Sequence, residues 1–371
     1  MNDETAAVSD SIGIKQVHAA AYKIPTATPE SDGTLAWNST TLIITEVEAG
    51  GKTGIGYTYA DESAAYLIEH TLKNLVKGKN VFDISAVNNF LTGQIRNNGN
   101  VGITMMAISA IDSALWDLKA KILEQPLCNL LGNVNDKILI YGSGGFTNYS
   151  EDQISRQFKN WEELGIEYLK MKIGREPQKD IRRIKAARHA IHKNTKLFVD
   201  ANGAYTARQA IEKAKQFDEC DVSWFEEPVS SDNLEGLSFI RQHVPSKINI
   251  AAGEYGFNMV YFKQMLSAKG VDVLQADATR CGGITGFLKA GQLAEAFQIP
   301  FSSHCAPALH LHAALSLSSF YIAEYFFDHI RIESMLFDGI SPPEKGYLKP
   351  DLSRPGLGIE FKHQDAEKFK I

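Results

Sequence analysis

From about residue 138 to residue 324 the chain repeats one pattern: a short apolar run, an ionisable residue at or near its end, then a stretch with helical spacing. The apolar runs lie near 138–142 (ILIYG), 168–173 (YLKMKI), 196–200 (KLFVD), 222–226 (VSWFE), 248–252 (INIAA), 271–276 (VDVLQA), 299–303 (IPFSS) and 320–324 (FYIAE). Stretches such as 206–217, 232–243, 257–268 and 284–297 separate them as predicted helices. Eight strand-then-helix units at this spacing predict an α/β fold, a (β/α)8 barrel of the TIM type. Spacing alone leaves a doubly wound parallel sheet open as the alternative.

The flanks read differently. Residues 12–60 alternate apolar and polar positions in short runs, with Gly50–Gly51 between two of them, and predict an antiparallel meander. From about 62 to 131 apolar residues recur at three and four, as in "MMAISAIDSALWDLKAKIL", so an α+β unit is complete before residue 135. The tail from about 336, with "SPPEKGYLKP" and "SRPGLG", is rich in Pro and Gly and is expected to wrap back over that unit. The expected organisation is thus 1–135, then a barrel over 136–335, then a closing segment over 336–371.

Composition narrows the function classes. A formal charge of -6 gives no basic footprint for nucleic acid, and no block of like charge forms a tail. The opening "MNDETAAVSD" has neither a basic nor an apolar segment of a secretory signal, and no apolar run reaches membrane-spanning length. Four cysteines, Cys128, Cys220, Cys281 and Cys305, show no CxxC spacing. A cytoplasmic protein that binds neither nucleic acid nor membrane is the expectation.

In a barrel of this kind chemistry sits at the carboxyl ends of the strands. Those ends carry Lys170 and Lys172, Asp200, Glu226, Glu254, Asp277, His304 and Glu324, separated from Lys172 onward by 28, 26, 28, 23, 27 and 20 residues. Singly, each acid is more often a helix cap or a surface charge. Together, Asp200, Glu226 and Glu254 come from neighbouring strands and would repel one another unless a cation sat between them. All-oxygen ligation favours a hard ion, above all Mg2+. Asp277 and His304 close the next two strands, as a carboxylate and the imidazole it orients would. Lys170 and Lys172 are two apart, hence on one face of a strand. On a solvated face such a pair means nothing. Inside a barrel, burial and like charge both favour a neutral lysine, which is a base.

The motifs "KMK", "DANG" (200–203), "FEEP" (225–228), "AAGEY" (251–255), "QADATRCGG" (275–283), "SSHCAPALHLH" (302–312) and "AEYFFDH" (323–329) together resemble the enolase superfamily, specifically its mandelate racemase subgroup. The resemblance covers nearly the whole chain and implies an α+β capping domain ahead of the barrel, completed by the tail. It implies that Asp200, Glu226 and Glu254 bind Mg2+, that Lys172 is the base on one face with Lys170 on the substrate carboxylate, and that His304, supported by Asp277, acts on the other face. It also implies a protonated Glu324 on the second carboxylate oxygen. Asn202 and Arg280 match family positions without an assigned chemistry, and Glu227, next to a ligand in an alternating strand, is expected to point away. A homo-oligomer is a family-level expectation.

The implied chemistry is abstraction of the proton α to a carboxylate through an enediolate. Loss of a β-hydroxyl would make the enzyme a sugar-acid dehydratase, a lyase acting on an aldonate or aldarate and giving a 2-keto-3-deoxy acid. Reprotonation on the other face would give a racemase or epimerase, and expulsion of a ring oxygen a lactone cycloisomerase. Dehydration is favoured because acid sugars are the commonest substrates the subgroup implies. Specificity is expected from loops within 22–39 and 54–60, with Trp37, Asn38 and Tyr59 meeting the distal end of the substrate and Ser31 and Asp32 offering further hydrogen bonds. Two rivals carry less: a metal-free aldolase with a Schiff base at Lys172 leaves the three acids unexplained. A non-enzymatic, metal-stabilised binding protein leaves the lysines and the His–Asp pair without use.

Overall fold

A computed structural model describes residues 12–371. The segment "MNDETAAVSD", read above as lacking a secretory signal, lies outside them. The expected meander is a three-stranded antiparallel sheet of β1 (Gln16–Ser31), β2 (Ala36–Ala49) and β3 (Lys52–Tyr59), in that order. Gly50 and Gly51 join β2 to β3 with φ of 58° and 72°, the left-handed values a two-residue hairpin turn demands and a β-carbon resists. The helix Ile103–Ile122 buries Ala107, Ile108, Ala110, Ile111, Ala114, Leu115 and Leu118, in one core with Ile43 and Val47 of β2. Its apolar stripe follows the helical period that the sequence displays.

Eight parallel strands follow: β4 (Ile138–Gly144), β5 (Tyr168–Lys172), β6 (Lys196–Asp200), β7 (Val222–Glu226), β8 (Asn249–Ala252), β9 (Val273–Ala276), β10 (Phe301–Ser303) and β11 (Phe320–Phe326). Each pairs with its neighbours in chain order, and β11 pairs back onto β4. That closure makes the sheet a barrel and removes the doubly wound alternative. A helix follows every strand, from Glu151–Glu163 after β4 to Phe327–Leu336 after β11. β11 runs two residues further than the apolar run suggests, so Glu324 lies within a strand rather than at its end. Among the described residues no helix is long and apolar enough to cross a membrane.

Alternation fills the barrel. Leu169, Met171, Leu197, Val199 and Phe225 belong to the large core shared with the surrounding helices, whereas Tyr141, Phe198, Trp224, Ala251, Val273 and Ile322 form a separate buried cluster. Phe198 and Trp224 stack with ring centroids 4.9 Å apart. Two residues further along the same faces stand Asp200 and Glu226, and the register pairs Lys172 with Asp200 and Asp200 with Glu226. The polar site is therefore a layer resting on an aromatic floor.

The β1–β2 hairpin reaches this layer. Its register shifts between Pro25 and Glu30, and its tip lies on the carboxyl ends of the barrel strands: a β-carbon on Gly33 would stand 2.2 Å from the Ala201 carbonyl oxygen. Thr147 N–H donates to the Ser31 carbonyl and Arg175 to that of Leu35. The segments 22–39 and 54–60, expected as loops, are thus mostly strand, with a turn only at 32–35. Pro25 and Pro29 fall at and within this register shift, where β1 tolerates a missing N–H. The tail touches both units: Tyr347–Leu348 pairs antiparallel with β4, and the N–H groups of Leu127 and Ile371 donate to the carbonyls of Gly356 and Ala21.

Candidate active site

Asp200 and Glu226 close β6 and β7, and Glu254 stands two residues beyond β8, after Gly253. Gly253 has φ 135°, and a β-carbon there would lie 2.1 Å from the Gln275 carbonyl oxygen. Glycine therefore allows the chain to turn against β9 and bring Glu254 to its neighbours. One oxygen from each of the three buried carboxylates lies within 4.8 Å of the other two. Glu254 Oε2 accepts no hydrogen bond and is 3.5 Å from His304 Nε2. Three buried acids converging on one point, with one oxygen unsatisfied, fit a hard divalent cation.

Lys170 and Lys172 share the inner face of β5. Lys170 Nζ lies 2.5 Å from Glu226 Oε1 and 2.9 Å from Glu324 Oε1, while Lys172 Nζ pairs with Asp200. Burial disfavours both ammonium groups, yet the acids prevail. Glu226, Glu324 and Asp200 hold Lys170 well above the ordinary lysine value, and Asp200 does the same for Lys172 against the opposing charge of Lys170. The neutral Lys172 expected from the Lys-x-Lys pair is therefore not what this arrangement gives, because one cationic neighbour is outweighed by carboxylates. Glu324, expected to be protonated on the substrate carboxylate, lies among cations. Burial pushes its carboxyl up, but Lys170, His304 and Lys172 bring it well below the usual range, and Cys305 N–H donates to its Oε2 at 2.7 Å.

Across the mouth, His304 Nδ1 is 2.8 Å from Asp277 Oδ2, and Thr279 N–H donates to Asp277 Oδ1 at 2.7 Å. Burial raises the Asp277 carboxyl, and the hydrogen bond from His304 more than reverses that, leaving it well below the carboxylate range. An ionised Asp277 places the ring proton on Nδ1 and leaves Nε2 for the site. Cys305 Sγ is 3.2 Å from that Nε2. β5 and β10 are three strands apart one way round the barrel and five the other, so Lys172 and His304 face each other over the acid cluster.

Glu227 departs from its expected outward orientation. Its φ of 38° breaks the strand alternation, and the side chain is buried with Oε1 unpartnered. Burial, then the charges of Glu254 and Asp200, push its carboxyl well above the ordinary value. Together with Asn202, Ser230, Tyr255 and Tyr261 it lines a cavity of about 630 Å³ bordered by Thr34 of the hairpin tip. Arg280 donates to the Glu254 carbonyl and pairs with Glu254 and Asp277 at 3.6 and 3.7 Å. Two neighbours escaped sequence reading: Trp224, whose Nε1–H donates to Glu226 Oε2 at 2.9 Å, and Tyr141, 3.4 Å from Lys170 Nζ. Trp224 was within reach of the period-two rule, being two residues before Glu226.

Of the cap residues, Trp37 donates Nε1–H to Glu30 Oε2 at 2.9 Å and meets Phe146 edge-on, beside Cys305 and Phe326. Tyr59 stacks on His329 at 3.5 Å, its hydroxyl buried without a partner. Asn38 is exposed. Ser31 and Asp32 are already engaged, Ser31 with Thr147 and Asp32 with the N–H groups of Thr34 and Leu35. Short polar side chains at a turn satisfy their own backbone first.

Known proteins carry the same architecture. The family description "Mandelate racemase / muconate lactonizing enzyme, N-terminal domain" matches residues 16–132, and "Enolase C-terminal domain-like" matches 153–366. The L-talarate/galactarate dehydratase of Salmonella typhimurium is 31% identical over 95% of this chain and 89% of its own, and the arabinonate dehydratase of Saccharolobus solfataricus is 27% identical over 91% and 92%. A mandelate racemase/muconate lactonizing enzyme-like protein from Rubrobacter xylanophilus superposes with a TM-score of 0.95 at 46% identity, over 97% of this chain and all of the other. A lysine-to-alanine mutant of an L-talarate/galactarate dehydratase, liganded with Mg and L-glucarate, does so at 0.90 and 29% identity, over 100% and 95%. With both halves of the chain matched, it belongs to the mandelate racemase/muconate lactonizing enzyme family of the enolase superfamily.

Proposed function

We propose that this chain is a Mg2+-dependent sugar-acid dehydratase. It removes the proton α to a carboxylate, expels the β-hydroxyl as water and leaves a 2-keto-3-deoxy acid. The observation that carries this reading is the placement of Lys172 and His304 on opposite sides of the Asp200–Glu226–Glu254 cluster. A base on one side and an acid on the other suit an anti elimination, in which the α-proton and the β-hydroxyl leave adjacent carbons from opposite faces. A similar dehydratase holds Mg with L-glucarate, which supports magnesium here.

Asp200, Glu226 and Glu254 would hold Mg2+, which would supply positive charge to the substrate carboxylate. Lys170 donates to one oxygen of that carboxylate, with Glu324 beside it. A metal on Asp200 would take from Lys172 the partner that holds it protonated. The cationic Lys170 then favours the neutral base, which takes the α-proton. His304, as an imidazolium whose Nδ1–H Asp277 holds, gives its Nε2 proton to the departing hydroxyl and is left neutral; the resulting enol becomes the keto acid by losing its O–H proton and taking one up at the carbon that lost the hydroxyl. The unit of residues 1–135, closed by 336–371, confines the substrate through Trp37 and Tyr59. Four free, buried cysteines are in keeping with a cytoplasmic setting.

The test is purified protein with Mg2+ and a library of sugar mono- and diacids, read with semicarbazide for 2-keto acids. A keto-acid product that disappears in Lys172→Ala supports the reading. No keto acid from any member, but deuterium entering C2 by proton NMR, would replace dehydration by epimerisation or cycloisomerisation.

A further inference from the structure

We infer that the barrel mouth holds a second metal site, built from His304, Cys305 and Glu324, which takes a soft or borderline divalent cation, Zn2+ above all, and whose occupation silences His304. Metal binding there does not depend on the dehydratase reading; the loss of turnover it causes does.

Backbone conformation makes the site. In an extended strand, a His304 facing the mouth would send Cys305 to the opposite face. Instead Cys305 has φ of 51° and Ala306 of 38°, two left-handed residues in succession without a glycine. Strain of that kind persists only where the surroundings over-determine it, and it collects at functional sites. Here the turn lays Cys305 Sγ 3.2 Å from His304 Nε2 and the Cys305 N–H on Glu324 Oε2 at 2.7 Å. Glu324 Oε2 stands 3.9 Å from Nε2, and one donor atom from each of the three buried residues lies within 4.8 Å of the other two.

Those separations suit a tetrahedral ion. Bonds of about 2.3 Å to sulfur and about 2.0 Å to nitrogen or oxygen put neighbouring donors about 3.3 to 3.6 Å apart. A hydrogen bond between thiol and ring explains the 3.2 Å contact alone; a metal needs the third donor, and Glu324 supplies it. The donors are also prepared. Asp277 holds His304 by Nδ1, the carboxylate support that metal-bound imidazoles ordinarily have, and this turns Nε2 to the site. Glu324 keeps Oε1 on Lys170, and its ionised carboxylate has lone pairs beyond the one that the Cys305 N–H uses. Burial, then Glu324, push the Cys305 thiol well above its ordinary value, so no thiolate waits there for an alkylating or oxidising agent. What the sulfur suits is a cation strong enough to displace its proton, which passes to solvent as the metal–sulfur bond forms.

The two sites divide by softness. Asp200, Glu226 and Glu254 offer oxygen alone, whereas a nitrogen and a sulfur beside one oxygen select zinc-like ions. They also adjoin, with His304 Nε2 3.5 Å from Glu254 Oε2. A zinc ion on Nε2 takes the place of the proton that His304 passes to the leaving hydroxyl.

The experiment titrates the full-length protein, saturated with Mg2+, with Cd2+ or Zn2+. Cd2+ should bind once per chain and raise the ultraviolet band of a cadmium–thiolate bond, and Zn2+ should abolish keto-acid formation in a way that added Mg2+ does not relieve. In Cys305→Ser the band should vanish and Zn2+ affinity by calorimetry should fall about 100-fold or more, since even the partners behind a metal ligand are worth about 10- to 100-fold. A band unchanged in Cys305→Ser would place cadmium on another cysteine and overturn the inference, as would Cd2+ that binds without the band or leaves as Mg2+ is raised. If no acid is turned over, the dehydratase reading falls, while the band and the calorimetry still decide the metal site. Should Cys305→Ser fail to fold by circular dichroism, His304→Asn, which removes another donor, takes its place and should weaken Zn2+ to the same order.

Discussion

On the β5 wall each lysine is set against carboxylates from other strands, so its charge is fixed by a network of Asp200, Glu226 and Glu324. On the β10 wall one carboxylate, Asp277, holds one imidazole by one ring nitrogen, and the other ring nitrogen faces the site. The proposed cation would tune the first wall, because it would engage Asp200, which here pairs with Lys172. The second is oriented by its own partner, Asp277, although its Nε2 also lies 3.5 Å from Glu254 Oε2. A protein can thus keep a base latent on one side and an oriented acid ready on the other.

The largest effects should come from removing one wall at a time. Lys172→Ala is expected to lower kcat/KM by about 10⁴-fold and to abolish C2 deuterium exchange. His304→Asn should lower keto-acid formation by about 10³-fold while C2 exchange persists. If His304→Asn lost exchange and Lys172→Ala kept it, the assignment of the two walls would be reversed. Asp277→Asn comes next, with kcat down about 10- to 100-fold, KM nearly unchanged and exchange retained. A loss of exchange as deep as that in Lys172→Ala would show that the walls are not independent.

Metal removal tests the coupling on the lysine side. Mg2+ at about 100 times its dissociation constant should stabilise the fold by about 2.7 kcal/mol, seen as a rise in melting temperature that EDTA reverses. Lys172→Ala should bind Mg2+ more tightly by calorimetry, since its ammonium no longer competes for Asp200. Equal or weaker binding would break that part of the comparison. The smallest expected effect is that of Trp224→Phe, which deletes the donor to Glu226 Oε2 and should cost about 1.5 kcal/mol in denaturant unfolding.

Much of the barrel was legible because strands buried on both faces must be apolar runs, and helices between them must carry a stripe at 3.6. The acids, lysines and His304 were legible because an ionisable residue at the end of such a run has few other reasons to be there. Glu227 was misread for the opposite reason: alternation predicts its direction only while the backbone stays extended, and φ of 38° ends that. The segments 22–39 and 54–60, expected to supply specificity loops, are mostly strand because the pairing of β1 with β2 resumes across the bulge. Protonation states were beyond reach for Lys172 and Glu324, since each depends on charges brought from other strands.

The sequence by itself determined the repeat, the chemical identity of each strand end and the turn at Gly50–Gly51, all of which follow from local periodicity and backbone sterics. Only the tertiary structure decided that the sheet closes, that Glu227 turns inward and that Lys172 sits on Asp200. Those are facts about distances between residues remote in the chain, and Coulomb energy and burial depend on such distances, not on order along the sequence.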